Sequence, residues 1–264
     1  MLHYTGRALM SKWLRASTLA VAVICATVAP GLTQDNKDKM DEKAMAVLKS
    51  MSDYIRSAKT ISFRTKTFFD VARKSGIKIK SAREGTVRLK RPNHLYVNAI
   101  TDDGSATTAW YDGSKLTVWR RSANEVMSLD ISGSTDQMLD YLIEKHEVQL
   151  PLADLLYSDL DKTFSEDLIS SEYIGVRMVG GVPCHQLSFE SQGADWQIWI
   201  EADATPVPRR FVIDFVNSES QPQFMARLDA WSIDGNLEDF NFTAAVPKAV
   251  KQVEFKPRSA GKAE

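Results

Sequence analysis

From Thr60 onward, apolar residues recur at every second position in short runs, and turn-forming clusters rather than helices separate the first of these runs. No other feature constrains the fold as much. Period-two alternation marks strands with one buried face, and strands joined by short turns pair antiparallel, because parallel neighbours need long crossovers. "TISFRTKTFFDV" sets Ile61, Phe63, Phe69 and Val71 on one face, with Ser62, Arg64 and Lys66 opposite. "EGTVRLKRP", "HLYVNAI", "TTAWYDG", "KLTVWRR" and "NEVMSLDI" follow, punctuated by "SGIK", "RPN", "TDDGS", "DGS" and "SAN". The spacing predicts an antiparallel meander.

Helical periods flank and interrupt it. Before the first strand, Ala44, Val47, Leu48, Met51, Tyr54, Ile55 and Ala58 recur at spacings of three and four, one apolar stripe suited to packing on a sheet. "STDQMLDYLIEKHEV" places Ser134 three residues before Gln137, a capping-box pattern, ahead of Met138, Leu139, Leu142 and Ile143. "LPLADLLYSDLDKTF" predicts a second short helix, with Pro151 near its first turn. Two apolar-faced helices inside a meander are placed to cover one face or mouth of the sheet.

Strands then resume. Gly180-Gly181 predicts a tight turn, Trp196, Ile198 and Ile200 share a face opposite Trp199, and Phe211, Ile213 and Phe215 line up. In "QFMARLDAWSI", Phe224, Ala226, Leu228 and Ala230 share a face, with Trp231 opposite. The class is mainly β with inserted helices (α+β).

The front of the chain obeys another rule. Arg7, Lys12 and Arg15 precede the apolar run "LAVAVICATVA", and the polar "QDNKDK" follows Thr33. That pattern predicts a secretory signal peptide over residues 1–33, starting at Met1 or Met10, and hence export to the periplasm as a soluble protein. Cys25 follows Ile24 inside the apolar run, not a small residue, so it is expected to leave with the leader. Cys184 then has no intramolecular partner, and the formal charge passes from −1 to −4 as three basic and no acidic residues are lost. A mildly acidic, mixed surface makes no case for nucleic acid.

Cys184 sits beside His185, a pairing that suggests thiol chemistry. On a strand, however, neighbours point to opposite faces, and nothing nearby supplies a base and an orienting group. Cys184 is read as a buried strand residue. His94 and His146 lack the second histidine of a zinc helix, and the acidic run Asp154, Asp159, Asp161, Glu166, Asp167 lacks the spacing of a calcium loop, so it is read as solvated surface. Hydrolase and phosphate- or dinucleotide-binding motifs are missing too. The chain is expected to be no enzyme, with no catalytic residues, metal or cofactor.

Taken together, "WYDGSKLTVW", "LPLADLL", "GGVPCHQLSF", "DWQIWIEADATPVPRRFVIDF" and "LDAWSIDGNLEDFNFTAAVPKAV" resemble a family of predicted periplasmic bacterial proteins. More distantly, they resemble the lipoprotein-carrier superfamily of LolA-type and LppX-type proteins. The resemblance runs from about Met45 to Phe255. It implies an open, incompletely closed antiparallel β-barrel with a helical plug or lid, a LolA-like domain over residues 34–256; the tail at 257–264 reads as disordered from its own composition. It implies no catalytic residues, because the family carries none.

On that basis the expected function is a periplasmic carrier or sensor for a lipid or acylated protein, with transient membrane contact. Phe63, Phe69, Leu89, Trp196, Ile198, Phe211, Ile213 and Leu228 are expected to line a cavity, with Thr65, Thr67 and Ser128 adding polar positions. Leu139, Leu142, Ile143, Leu155 and Leu156 are expected to form its lid. The alternative is a module with a filled core that uses outward aromatics such as Trp199 and Trp231 to bind an envelope protein. An exported enzyme built on Cys184 stands behind both.

Overall fold

The structure, a computed structural model, describes residues 39–255 apart from 149, 151 and 219. The expected leader, the tail at 257–264 and Pro151 lie outside the described residues. A first helix, α1 (Glu42–Ser57), leads into β1 (Thr60–Ala72), β2 (Lys78–Lys90), β3 (His94–Thr101), β4 (Ala106–Tyr111), β5 (Lys115–Arg120) and β6 (Glu125–Asp130). Next come α2 (Thr135–His146), a 3-10 turn (Ala153–Leu156) and α3 (Leu160–Ser165). The chain returns through β7 (Leu168–Val179), β8 (Val182–Ser191), β9 (Asp195–Glu201), β10 (Pro208–Asp214) and β11 (Gln223–Ile233), and ends in β12 (Lys251–Gln252).

Among the described residues, all twelve strands form one sheet, in the order β12-β6-β5-β4-β3-β2-β1-β11-β10-β9-β8-β7. The pairs are antiparallel except β12 with β6. The outermost strands, β12 and β7, do not pair with each other, so the barrel stays open, as expected. The meander reading holds for β1 to β6, and the Gly180-Gly181 turn joins β7 to β8 with both glycines at positive φ.

The inward face follows from register. Leu228, Thr65, Gly85, Ala99 and Thr107 lie side by side across β11, β1, β2, β3 and β4. Small side chains in this row let the strands bend toward one another. At Gly85 a β-carbon would meet Asn98 O at 3.0 Å and Thr65 Oγ1 at 3.1 Å. Ser128, expected inward, is corrected: it pairs with Thr117 on the outer face, while its neighbour Leu129 packs with the core.

Trp231 is corrected as well. Between Ser62 and Arg64 the β1–β11 register slips by one residue, with Ala230 at φ 50. This bulge reverses the alternation beyond it. Trp231 therefore turns inward, stacks on Phe63 at 4.4 Å and donates Nε1–H to Pro208 O at 2.9 Å.

The helices are capped as their sequences dictate. Asp41 accepts from the backbone of Lys43 and Ala44 to start α1, and its other oxygen accepts from Tyr173 N at 3.0 Å, tying the helix to β7. Ala44, Leu48, Met51, Ser52 and Ile55 form the buried face. Ser134 and Gln137 close the expected capping box on α2. The helix expected over "LPLADLLYSDLDKTF" is split into the 3-10 turn and α3. Arg91 donates to Leu156 O and Tyr157 O at 3.1 and 3.0 Å, and Asp159 caps a new start through Lys162 N. Tyr157 turns extended, at φ −63 and ψ 152, which ends the 3-10 turn, and the guanidinium satisfies the carbonyls left without a helical N–H.

Candidate ligand-binding interior

The eight residues expected to line a cavity do converge on the inward face, yet most lie in its closed half. Phe63, Leu89, Trp196, Ile198, Phe211, Ile213 and Leu228 are all buried in the main core, and Phe69 is half-buried toward the rim. Under α3 the aromatics pack face to face. Trp196 stacks on Phe189 at 4.0 Å and Phe211 at 5.5 Å, with Phe164 tilted over it at 5.6 Å. Here the interior fills itself. The lid residues Leu139, Leu142 and Ile143 of α2, with Leu155 and Leu156 of the 3-10 turn, are buried in the same cluster.

The other half of the inward face differs. Val97, Ala109, Val118 and Leu129, on β3 to β6, point the same way as the core residues but are only half-buried. So are Thr65, Gly85, Ala99 and Thr107 toward the rim, and Val148, Leu150 and Leu152 after α2. Together the strand residues form an apolar, partly solvent-exposed stretch of the inward face, called the trough below. Alternation in "HLYVNAI", "KLTVWRR" and "NEVMSLDI" could have found these positions. Side-chain bulk points instead to the tryptophan- and phenylalanine-rich strands, whose large side chains pack against one another.

The trough's rim carries a cation. Arg83 pairs across β2–β1 with Thr67 on the inward face, and its guanidinium lies 5.8 Å from the Phe69 ring. Polar atoms are also buried deep in the helical layer. Ser52 Oγ, Trp196 Nε1, Thr135 Oγ1 and one oxygen of Asp154 find no hydrogen-bond partner among the described residues. Asp154 was expected on a solvated surface, and this is corrected: the 3-10 turn rotates it inward, to 4% exposure, and burial pushes its pKa up to about 8. The tight turn places a residue inward that the helical period would have left outside.

Cys184 and His185 sit on opposite faces of β8. Cys184 is buried in a small outer cluster with Val179, Trp199 and Val212. Burial, with Glu201 nearby, pushes its thiol up to about 11. At neutral pH it is protonated and a poor nucleophile. His185 faces inward, its Nδ1 2.8 Å from the Tyr173 hydroxyl, and burial lowers its pKa. Trp199 faces outward but is only 8% exposed, with Arg210 5.1 Å above its ring. Neither Trp199 nor Trp231 is thus an exposed anchor. Among the described residues, no group of histidine, cysteine and carboxylate side chains is disposed to hold a metal ion, and no helix is long and apolar enough to cross a membrane.

The model of a family described as predicted periplasmic protein (DUF2092) matches residues 44–256, starting in the first turn of α1. The chain belongs to this family. DUF2092 membership assigns the protein to the periplasm, the localisation expected from the sequence. No curated protein matches the sequence. Among solved structures, an uncharacterized conserved protein of Thermus thermophilus is 12% identical, with 81% of this DUF2092 chain and all of that one covered at a TM-score of 0.46. The Mycobacterium tuberculosis lipoprotein LppX is 13% identical, over 72% of this chain and 96% of its own, at 0.44. The MucA/MucB complex of Pseudomonas aeruginosa is 13% identical, over 77% of this chain and 61% of that one, at 0.43.

Proposed function

We propose that this protein is a periplasmic, non-enzymatic carrier or sensor that holds a lipid, or the acyl chain of a lipidated protein, in the trough on the inward face of β2–β6. The observation that carries this reading is the half-burial of Val97, Ala109, Val118 and Leu129 on a face whose other half is closed. Apolar side chains that point into a concavity and still meet water gain by accepting a hydrocarbon chain, at about 0.8 kcal/mol per buried methylene. Arg83 at the rim suits an anionic headgroup, while Leu139, Leu142 and Ile143 hold α2 against the core as a hinged cover. Release would follow from a ligand-dependent shift between covered and uncovered states.

The test is native mass spectrometry of the mature protein, purified from the periplasm without detergent, combined with quenching of tryptophan emission by a brominated fatty acid. A stoichiometric co-purifying lipid, or saturable quenching, is the expected result. An apo mass with no uptake of fatty acid or phospholipid would exclude it. That outcome would favour a protein-interaction module, the reading supported by the self-filled stack of Phe189, Trp196 and Phe211.

A further inference from the structure

The β1–β2 hairpin outruns both of its neighbours. β1 pairs with β11 only as far as Phe69, and β2 pairs with β3 only from Arg83. Within the hairpin, pairing continues through Asp70↔Lys80 and Val71↔Ile79 to Ala72↔Lys78. Asp70 and Ala82 are still tied to Gln223 and Asp102, and residues 71–80 stand beyond the sheet as a two-stranded tongue. Arg73 N donates to Ile77 O and Gly76 N to Arg73 O, both at 2.9 Å, closing the tip with Gly76 at φ 83.

Every residue from 72 to 80 is exposed. Two are isoleucines, Ile77 at 64% and Ile79 at 42% exposure, and four are basic, namely Arg73, Lys74, Lys78 and Lys80. No acidic residue occurs between Val71 and Ala82. Asp70 at the root neutralises Lys80 at 2.9 Å, and Lys78 reaches only a carbonyl, Gln221 O at 2.8 Å. Among the described residues, Arg73 and Lys74 form no ion pair, and Lys78, though its charge also acts on Asp70, adds a third cation near the tip. Lysines on a projecting hairpin deter edge-to-edge aggregation, so they have a purely protective reading. That reading does not account for two isoleucines held in water at the same tip, since protection calls for polar residues there. Cations surrounding exposed aliphatic side chains are what the boundary of an anionic bilayer binds: phosphates take the charges while the apolar groups enter the acyl region.

We propose that this tongue docks the protein on an anionic phospholipid surface, with Ile77 and Ile79 entering the headgroup boundary and Arg73, Lys74 and Lys78 on lipid phosphates. The proposal stands whether or not the trough takes an acyl chain. Ile79 and Val71 share the inward side with Phe69, so docking would set the trough's rim against the membrane.

The experiment is co-sedimentation of the purified mature protein with sucrose-loaded vesicles of equimolar phosphatidylglycerol and phosphatidylcholine, against pure phosphatidylcholine, at low and high salt. Expected is a preference for the anionic vesicles of roughly tenfold or more that falls with salt. It should be lost in Arg73→Glu/Lys74→Glu and weakened several-fold in Ile77→Asp. Lys90→Glu/Lys248→Glu, the same charge change elsewhere, should keep it. All these positions are exposed, and unchanged thermal midpoints verify folding. Binding to neither vesicle, equal binding to both, wild-type binding by the Arg73/Lys74 variant, or equal loss in the Lys90/Lys248 variant would each overturn the proposal.

Discussion

Asp154 shows how one residue's environment sets a measurable property of the whole chain. Its carboxyl is buried, with one oxygen unpaired, and its folded pKa of about 8 exceeds the ordinary carboxylate value of 3.8. The folded state therefore binds a proton that the unfolded state has released, so stability falls as pH rises from about 4 toward 8. Tyr157, whose hydroxyl donates to Asp140, is pushed up in pKa by the same burial and neighbouring carboxylates, and it stays neutral across this range. Asp154→Asn should raise stability at pH 8 by about 1–3 kcal/mol, less whatever its own amide leaves unpaired, and should flatten the dependence. Urea titrations at pH 5 and pH 8 check this, and a wild-type slope that persists in the variant would refute it. Arg83 gives a second residue-scale prediction. Arg83→Ala should weaken binding of a long-chain fatty acid by about tenfold and leave its methyl ester unaffected, since only the acid offers a charge-assisted hydrogen bond. Quenching titrations with the brominated acid and ester measure both. Neither residue's role was legible in the sequence. Asp154 sits in a run of acids that reads as surface, and Arg83, though in phase with Val87 and Leu89, gives no sign in the sequence that it stands beside Phe69.

At the scale of elements much more was legible, because caps and alternation are local physics. The Ser134–Gln137 box is plain from residue types and spacing alone. It holds the N-terminus of α2 through Gln137 N to Ser134 Oγ at 3.2 Å and Ser134 N to Gln137 Oε1 at 2.8 Å. Ser134→Ala should cost about 1 kcal/mol, concentrated in α2. Hydrogen exchange would report it as lost protection over Met138 to Ile143, with the strands unchanged. If α2 is the element that opens, ligand exchange should also quicken in this variant. Local patterns mislead where a non-local contact overrides them. Arg91 reaches across 65 residues to satisfy the carbonyls left open where the chain turns extended after Leu156. The bulge at Ala230 reverses the face of Trp231, and a period-two count has no means to detect an inserted residue.

For the whole molecule, the decisive contrast lies between the two halves of one concave face. Pattern alone marks every inward position alike, and the packing of α1 and α3 over β7 to β10 separates the closed half from the rest. Ala226 and Ala109 make that contrast testable with one chemistry. Ala226 is fully buried between Thr67 and Phe211 in the closed half, and Ala109 lies half-buried between Val97 and Val118 in the trough. Ala226→Phe must force apart side chains already in contact, at a cost of about 1–3 kcal/mol or more. Ala109→Phe should fit into open space, change stability by less than about 0.5 kcal/mol, and block uptake of the acyl chain by occupying its place. Denaturant midpoints and quenching by brominated fatty acid, measured on both variants, separate the outcomes. Equal destabilisation would mean that the trough is packed shut and the interior holds no ligand. Retained stability with unblocked uptake would move the ligand elsewhere on the face. Retained stability with blocked uptake would locate the acyl chain beside Ala109, on the small-residue half of the sheet and away from the aromatic half.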